Sequence, residues 1–413
     1  MSNRLPVMLL DRLLKRLIRE GELVTTWPDG STTRYGSPTP GRAPVAITIA
    51  SPTAARRIAT NPMLAAGEEF MSGGLRVPDD DILPLLDLVS HNMRWEWGNR
   101  ARMLLSSGQR WLSGLTQLND AVRSKKNVAH HYDLSDRLYD LFLDADRQYS
   151  CAYFTDRDNS LEQAQTDKKA HIAAKLCLKP GQRVLDIGCG WGGLALYLNR
   201  VADVDVLGIT LSEEQFAVAQ RRAAEAGVSD RVKFQLVDYR ALAGQFDRIV
   251  SVGMFEHVGL PNYRRFCEVV RDRMTDDGVA LLHTIGRADG PGVTDPWTRK
   301  YIFPGGYSPA LSEVLPAIEQ SWLWVTDVEV LRLHYAYTIE HWYARARAAR
   351  DRIVALYDER FYRMWTFYLA GAITAFRNDG HCNFQIQLAR KRDSVPLTRD
   401  YIAGAEAQYR AKG

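Results

Sequence analysis

The chain lacks long apolar runs, paired cysteines and any large excess of charge, and each absence excludes a class of protein. Its longest uncharged stretch in a helical context, residues 364–376, falls short of the roughly 20 residues that a membrane span needs. Its five cysteines, Cys151, Cys177, Cys189, Cys267 and Cys382, are odd in number, lie far apart and form no C-x-x-C pair. That pattern speaks against a disulfide framework or a zinc site and for a reducing cytoplasm. A secretory leader is not expected either, since Asp11, Arg12, Lys15 and Arg16 interrupt any apolar core near the start. With 53 basic against 49 acidic residues, the net charge of +4 is too small for a nucleic-acid-binding surface. The expectation is a soluble cytoplasmic protein without a metal, peripheral at most to the inner face of a membrane.

What the chain has is length and glycine. At 413 residues it exceeds one ordinary domain, and 46% hydrophobic with 25% charged residues is a globular composition. Its organising stretch is V-L-D-I-G-C-G-W-G-G at 184–193, where a run of β-formers meets a cluster of glycines and then the helix-prone L-A-L-Y-L-N at 194–199. Gly188, Gly190 and Gly192 let the backbone take positive φ and let a ligand approach with no Cβ in the way. Asp186, at the carboxyl end of the strand, can accept hydrogen bonds from an amino or hydroxyl group. A tight turn without a ligand is the bland alternative, but it leaves the folding entropy of those glycines without a packing return. The spacing G-x-G-x-G-G behind D-I-G differs from the G-x-G-x-x-G of dinucleotide sites. It resembles the first motif of the class I S-adenosylmethionine methyltransferases.

Residues 5–20 read as a basic amphipathic helix, with Leu10, Leu13, Leu14, Leu17 and Ile18 on one face and Arg12, Lys15, Arg16 and Arg19 off it. Such a helix either lies on an anionic bilayer or packs on its own domain. Loops or hairpins are expected over 27–44, a strand over 45–50 and a helix begun by Ser51 and Pro52, giving a small α+β domain to about residue 115. The polar stretch 116–127 is the expected linker to a catalytic domain over 128–413. His130, His131 and Tyr132 lack a carboxylate at metal spacing, so metal binding there is the poorer reading. A short helix is expected over 136–142. Strands at 183–187, 204–209, 232–237, 248–252 and 279–283 then alternate with helices. One helix runs from an S-x-x-Q capping box at Ser212 and Gln215 to Gly227, and another covers 263–274. The alternation predicts a parallel sheet with a ligand crevice at the strands' carboxyl ends, where Asp186, Thr210, Asp238, Ser251 and His283 gather. Residues 324–333 and 383–390 are expected as an antiparallel pair closing the sheet.

Further stretches place more polar and aromatic residues at strand ends than folding needs: Y-S-C at 149–151, G-M-F-E-H-V-G at 253–259, H-T-I at 283–285 and H-Y at 334–335. With the glycine turn, H-Y-D-L-S at 131–135 and T-L-S-x-x-Q at 210–215, they resemble the cyclopropane-fatty-acid synthase family, including the mycobacterial mycolic-acid cyclopropane synthases. The likeness covers about residues 45–400 and includes G-E-E-F-M-S-G at 67–73. It implies an α/β class I methyltransferase fold, Rossmann-like with a seven-stranded sheet, beside a small N-terminal α+β domain. It also implies methyl transfer from S-adenosylmethionine to a cis double bond of an unsaturated phospholipid acyl chain, then proton loss that closes a cyclopropane ring. A related acyl C-methyltransferase giving a methyl-branched, methylene or furan-precursor product is the alternative, and a lipid carrier without turnover is a third reading.

The resemblance assigns residues as well. It sets Tyr149 and Ser150 at the methionine end of the cofactor and Asp186 with Gly188, Gly190 and Gly192 at the amino acid and ribose. Thr210, Ser212 and Gln215 fall near the ribose and adenine, and Tyr239 and Arg240 flank the adenine. The base for ring closure is, in the family, a bound bicarbonate ion, whose holders correspond to Cys151, Glu256, His283, Ile285 through its backbone, and Tyr335. An external base makes physical sense, because a carboxylate buried in a lipid-lined cavity stays protonated. Tyr153, Phe154, Trp297, Tyr301, Phe303, Tyr307 and Tyr335 are the aromatic candidates for lining an acyl tunnel or facing a carbocation. The chain departs from general methyltransferases in carrying Thr210 where an acid usually binds the ribose, and from several relatives in carrying Ala372 where they have a cysteine. That thiol is expected to be dispensable, since thiolate attack has no place in alkene methylation. A homo-oligomer setting several N-terminal domains on one bilayer is a further expectation.

Overall fold

Two sheets carry the described residues, 4–95 and 136–413 of a computed structural model. The linker expected at 116–127, the H-Y-D-L-S motif and His130, His131 and Tyr132 lie outside those residues. By contacts the chain forms two units. The first comprises Met1–Leu105, Thr294–Pro304 and Ile339–Gly380, and the second Ser106–Val293, Gly305–Thr338 and His381–Gly413, each within its described residues.

In the first unit the strands β1 (Gly21–Thr26), β2 (Thr32–Ser37), β3 (Val45–Ile49) and β4 (Leu75–Arg76) form a sheet in the order β2-β1-β3-β4. The turn and β2 of the β1–β2 hairpin fall in the segment expected as loops or hairpins, whereas β1 precedes it. The N-terminal helix spans Arg4–Leu17, shorter than its periodicity predicts. Leu10, Leu14 and Ile18 are buried at helical spacing, so one apolar stripe packs on the unit. A second stripe, Leu5, Met8 and Leu9, stays exposed beside exposed Arg12, Lys15 and Arg16. Ser51 caps the helix Pro52–Thr60 as expected, accepting from the Ala54 amide at 3.1 Å. Residues 339–380 are tied in by Tyr343 and Arg347, both donating to Asp81 at 2.7 Å. Trp297, Tyr301 and Phe303 belong to this unit, packed with Met71, Met364 and Phe367.

The second unit holds the seven-stranded sheet. Its strands are β5 (Arg183–Ile187), β6 (Asp205–Thr210), β7 (Val232–Leu236), β8 (Phe246–Val252), β9 (Met274–Arg287), β10 (Trp324–Leu331) and β11 (His381–Ala389), ordered β10-β11-β9-β8-β5-β6-β7. β5 to β9 run parallel, while β11 is antiparallel to both β9 and β10. The closing pair was legible, but the strand expected at 279–283 is much longer because 284–287 continue against β11. The helix expected over 136–142 is a single turn, Asp136–Tyr139. Alternate residues split between two cores. Leu185, Ile187, Ile249 and Leu282 face the helices Tyr263–Arg273 and Leu311–Glu319, whereas Val184, Val206, Val250 and Leu281 face Leu161–Lys175 and Gly193–Ala202. From β5 the chain proceeds outward to β6 and β7 and then crosses back to β8, so β5 and β8 flank a topological switch point where such sheets bind ligands.

Candidate active site

A cavity of about 1210 Å³, mouth included, opens at this switch point. The glycine turn forms its floor. Gly188, Gly190 and Gly192 have φ of +84°, +55° and +83°, so all three occupy the left-handed region the sequence required of them. Their neighbours differ. A Cβ on Gly192 would stand 2.7 Å from the Phe234 ring, and one on Gly188 2.9 Å from Met254, whereas nothing among the described residues lies within 4 Å of one on Gly190. Gly188 and Gly190 line the cavity; Gly192 lies outside it, beginning the helix Gly193–Ala202.

Around this floor the cavity collects Tyr149, Ser150, Asp186, Thr210, Gln215, Tyr239 and Arg240. Tyr149 stands edge-on to Tyr139, ring centroids 5.4 Å apart, and Tyr139 in turn to Trp191 at 5.0 Å, an aromatic wall on one side. Arg240 grips Asp238 through two bonds of 2.8 and 2.6 Å. Although burial acts to raise the Asp238 carboxyl, that guanidinium leaves it below the usual range. Ser212 does not line the cavity. Its hydroxyl accepts from the Gln215 amide at 3.3 Å, but the reciprocal half of the expected capping box is missing. The Gln215 side chain instead accepts from the Thr210 hydroxyl at 3.1 Å, and the Ser212 amide donates to Thr210 at 3.2 Å. The three residues thus lock the end of β6 to its helix.

Asp186 is buried, its Oδ2 has no partner among the described residues, and desolvation raises its carboxyl to about 7 despite the nearby Lys168 ammonium. A buried carboxylate oxygen without a partner among the described residues, beside a Gly190 with open Cβ space, fits a ligand that brings a cationic or hydroxyl donor and needs close backbone approach. The amino-acid and ribose parts of S-adenosylmethionine offer both.

A second buried polar group lies on the same sheet face, because Asp186 pairs with Val250, and Val250 with Leu281, two residues before His283. The Ile285 amide donates to Glu256 Oε1 at 2.6 Å, so the short helical turn after β8 is pinned to β9. Glu256 Oε2 is buried without a partner among the described residues, and burial lifts the carboxyl to about 7. The ring of His283 lies between two amides of β11, Gln385 at 3.1 Å from Nδ1 and Asn383 at 3.4 Å from Nε2. Burial, with Lys168 adding to it, drives His283 down to about 3, so the ring is neutral. A neutral ring has one N–H and one lone pair, so only one of these two amide NH2 groups donates to the ring, and the ring N–H is left to donate elsewhere. Cys151 is buried and its thiol is pushed up by desolvation. Tyr335, also buried, begins the helix His334–Ala348, whose start is stitched to the Cys151 segment: His334 accepts from the Phe154 amide at 2.9 Å and Thr338 from the Ala152 amide at 3.0 Å. None of these five residues lines the cofactor-sized cavity. They are linked to it through the Gly253 amide, which lines the cavity and donates to the His283 carbonyl at 2.9 Å.

Sequence reasoning passed over Gln148, Lys168, Trp191 and His257, all of which line the cavity. Trp191 and His257 sit inside quoted motifs and were there to be read. Lys168 was not, because its helix shows no apolar stripe.

The mycolic acid cyclopropane synthetase family model matches residues 119–386. The chain is 40% identical over 348 residues to the cyclopropane-fatty-acyl-phospholipid synthase of Escherichia coli K12, covering 83% of this chain and 87% of that protein. It is 42% identical over 295 residues to a probable fatty acid methyltransferase of Pseudomonas putida, covering 68% and 74%. Among solved structures it resembles the mycolic acid cyclopropane synthase CmaA1 complexed with SAH and CTAB, with a TM-score of 0.61 and 33% identity over 66% of this chain and 99% of that one.

Proposed function

The chain belongs to the mycolic acid cyclopropane synthetase family, whose relatives make it an S-adenosylmethionine-dependent methyltransferase of the fatty-acyl type, and from that premise we propose that it converts a cis double bond of an unsaturated phospholipid acyl chain into a cyclopropane. The observation that carries the reading is the pairing, on one sheet face, of a cofactor-sized cavity with a separate buried group around Glu256 and His283. Simple methyl transfer needs the first alone. Ring closure needs the second, because a proton must leave the new methyl group.

S-adenosylmethionine supplies an electrophilic methyl group. Asp186 Oδ2 would accept from its ammonium, the Gly188–Gly190 backbone would underlie the amino acid and ribose, and Thr210, Gln215, Tyr239 and Arg240 would fix the nucleoside. An alkene is a weak nucleophile, so exact positioning in a water-excluded site contributes several kcal/mol. Positive charge then builds on the acyl chain. A neutral His283 adds no opposing charge there, and an aromatic face such as that of Tyr335 stabilises a cation by roughly 0.5–2 kcal/mol, whereas the Tyr153 ring is taken up by stacking on His171 and His334. Bicarbonate would serve as the base: it carries a hydroxyl hydrogen that suits Glu256 Oε2, which has no partner among the described residues, and negative oxygens for the donors of Cys151, His283 and Tyr335. Ile285 acts here by orienting Glu256, since its amide is already engaged. The exposed Leu5, Met8 and Leu9 beside Arg12, Lys15 and Arg16 would hold the enzyme peripherally on an anionic membrane.

Lipids from cells expressing the chain test the reading. The expected product is an acyl chain heavier by one CH2, with cyclopropane methylene protons resolved upfield of all alkyl signals. A branched-methyl or exomethylene signal would favour the alternative acyl C-methyltransferase, and unmodified acyl chains would overturn the assignment.

A further inference from the structure

The helix Leu161–Lys175 buries polar residues around most of its circumference, among them Gln165, Asp167, Lys168, Lys169, His171 and Lys175. Most have evident partners. Lys169 pairs with Asp146 at 2.5 Å, His171 with Glu329 at 2.7 Å, and Lys175 with Glu329. Lys168 differs. Its residue lines the cofactor cavity, and its ammonium donates to Gln148 Oε1 at 2.6 Å and Ser150 Oγ at 2.9 Å, both from residues that line the same cavity. An ammonium has three N–H donors, and the third finds no acceptor among the described residues. Desolvation lowers its pKa to about 8 although the Asp144 and Asp146 carboxylates act to hold it up, and neither of them takes the third N–H. On β5 Asp186 offers the complementary deficit, a buried carboxylate oxygen with no donor among the described residues. Two unsatisfied groups of opposite sign at one cavity match a ligand end that carries both charges.

We propose that Lys168 is a cofactor-positioning residue that binds the methionine carboxylate of S-adenosylmethionine, forming with Asp186 a subsite for the α-amino-acid zwitterion. The inference rests on the cofactor reading above and adds to it a residue outside every motif quoted from the sequence. A purely structural Lys168, holding Gln148 and Ser150 in place, is the competing role. The two roles separate by ligand, because a strut supports all ligands alike whereas a carboxylate anchor distinguishes those with the carboxylate from those without it.

Calorimetry on the full chain should compare S-adenosylhomocysteine with 5′-S-(3-aminopropyl)-5′-thioadenosine, which keeps the ammonium and lacks the carboxylate. Wild type is expected to prefer S-adenosylhomocysteine by roughly 10- to 100-fold, the worth of one buried hydrogen bond to a charged group. Lys168→Met should erase most of that preference while leaving the affinity for the amine analogue within about twofold of wild type. Lys168→Arg, which keeps the charge, should retain part of it. Equal affinities of wild type for the two ligands, a measurement that needs no variant to fold, would overturn the role of Lys168 and leave the cofactor reading intact. Equal loss of both ligands in Lys168→Met would do the same, showing a strut. A wild type that binds neither ligand would overturn both.

Discussion

Glu256 meets two opposed demands. In the folded protein its carboxyl is buried and accepts one amide bond, and burial moves it from 4.5 to about 7. Folding therefore favours the protonated form: its contribution to stability is complete below pH 4.5 and is lost as pH rises through about 7. The difference corresponds to roughly 3 kcal/mol at pH 8. Glu256→Gln preserves the shape and the acceptor for Ile285 but cannot ionise. Scanning calorimetry of the ligand-free protein should find the variant melting several degrees above wild type at pH 8 and level with it near pH 4.5. The same variant should keep near-normal cofactor affinity and lose most turnover, including its response to added bicarbonate. A lower melting temperature at pH 8 would mean that the carboxylate is ionised and paired before any ligand arrives. Asp186, raised to about 7 by the same cause, titrates in the same window, so the comparison is between two proteins at one pH.

At the scale of the element, the glycine turn divides its duties between neighbours. Gly190 faces open space in the cavity and Gly192 faces the Phe234 ring. Gly190→Val should cost about 1–2 kcal/mol of stability from its positive φ and abolish S-adenosylhomocysteine binding by calorimetry. Gly192→Val, which must push aside a core ring as well, should give insoluble protein. Folded Gly190→Val with unchanged affinity would remove the turn from the binding site. This turn, the strands of the parallel sheet and the cavity residues at their carboxyl ends were legible, because each combines a period-2 apolar run with glycines or polar residues at the strand end. The helix Leu161–Lys175 was not, since a segment that buries charges on all sides has no apolar face to read. The capping box failed for a related reason: Ser212 and Gln215 have the right spacing, but Thr210, two residues upstream, competes for the glutamine and wins. The β9 extension depends on a partner strand about a hundred residues later, which no local pattern can announce.

Across the whole molecule, the N-terminal helix turns one apolar stripe inward and leaves another outward with its basic neighbours. The expected membrane contact therefore needs a finer probe than deletion, which would strip Leu10, Leu14 and Ile18 from the core. Met8→Glu with Leu9→Glu should leave the melting temperature unchanged and reduce activity on anionic vesicles by about tenfold or more, with little effect on detergent-dispersed lipid. Wild-type vesicle activity should fall with salt as the Debye length shrinks from about 10 Å to 3 Å. Equal losses on both substrates would assign the stripe a structural role. The path of the chain through the two sheets has a different sort of consequence, which concerns biosynthesis. β11 is threaded between β9 and β10, carries Asn383 and Gln385 to either side of the His283 ring, and is the last strand to be made. The first unit likewise waits for Ile339–Gly380. On the ribosome, then, the nascent chain holds the glycine turn long before it holds a finished domain, with β9 an open edge and β10 a strand without a neighbour. Premature termination between residues 194 and 379 leaves a polypeptide with every glycine of its cofactor motif and neither unit complete, a species destined for chaperones or proteolysis rather than for partial activity.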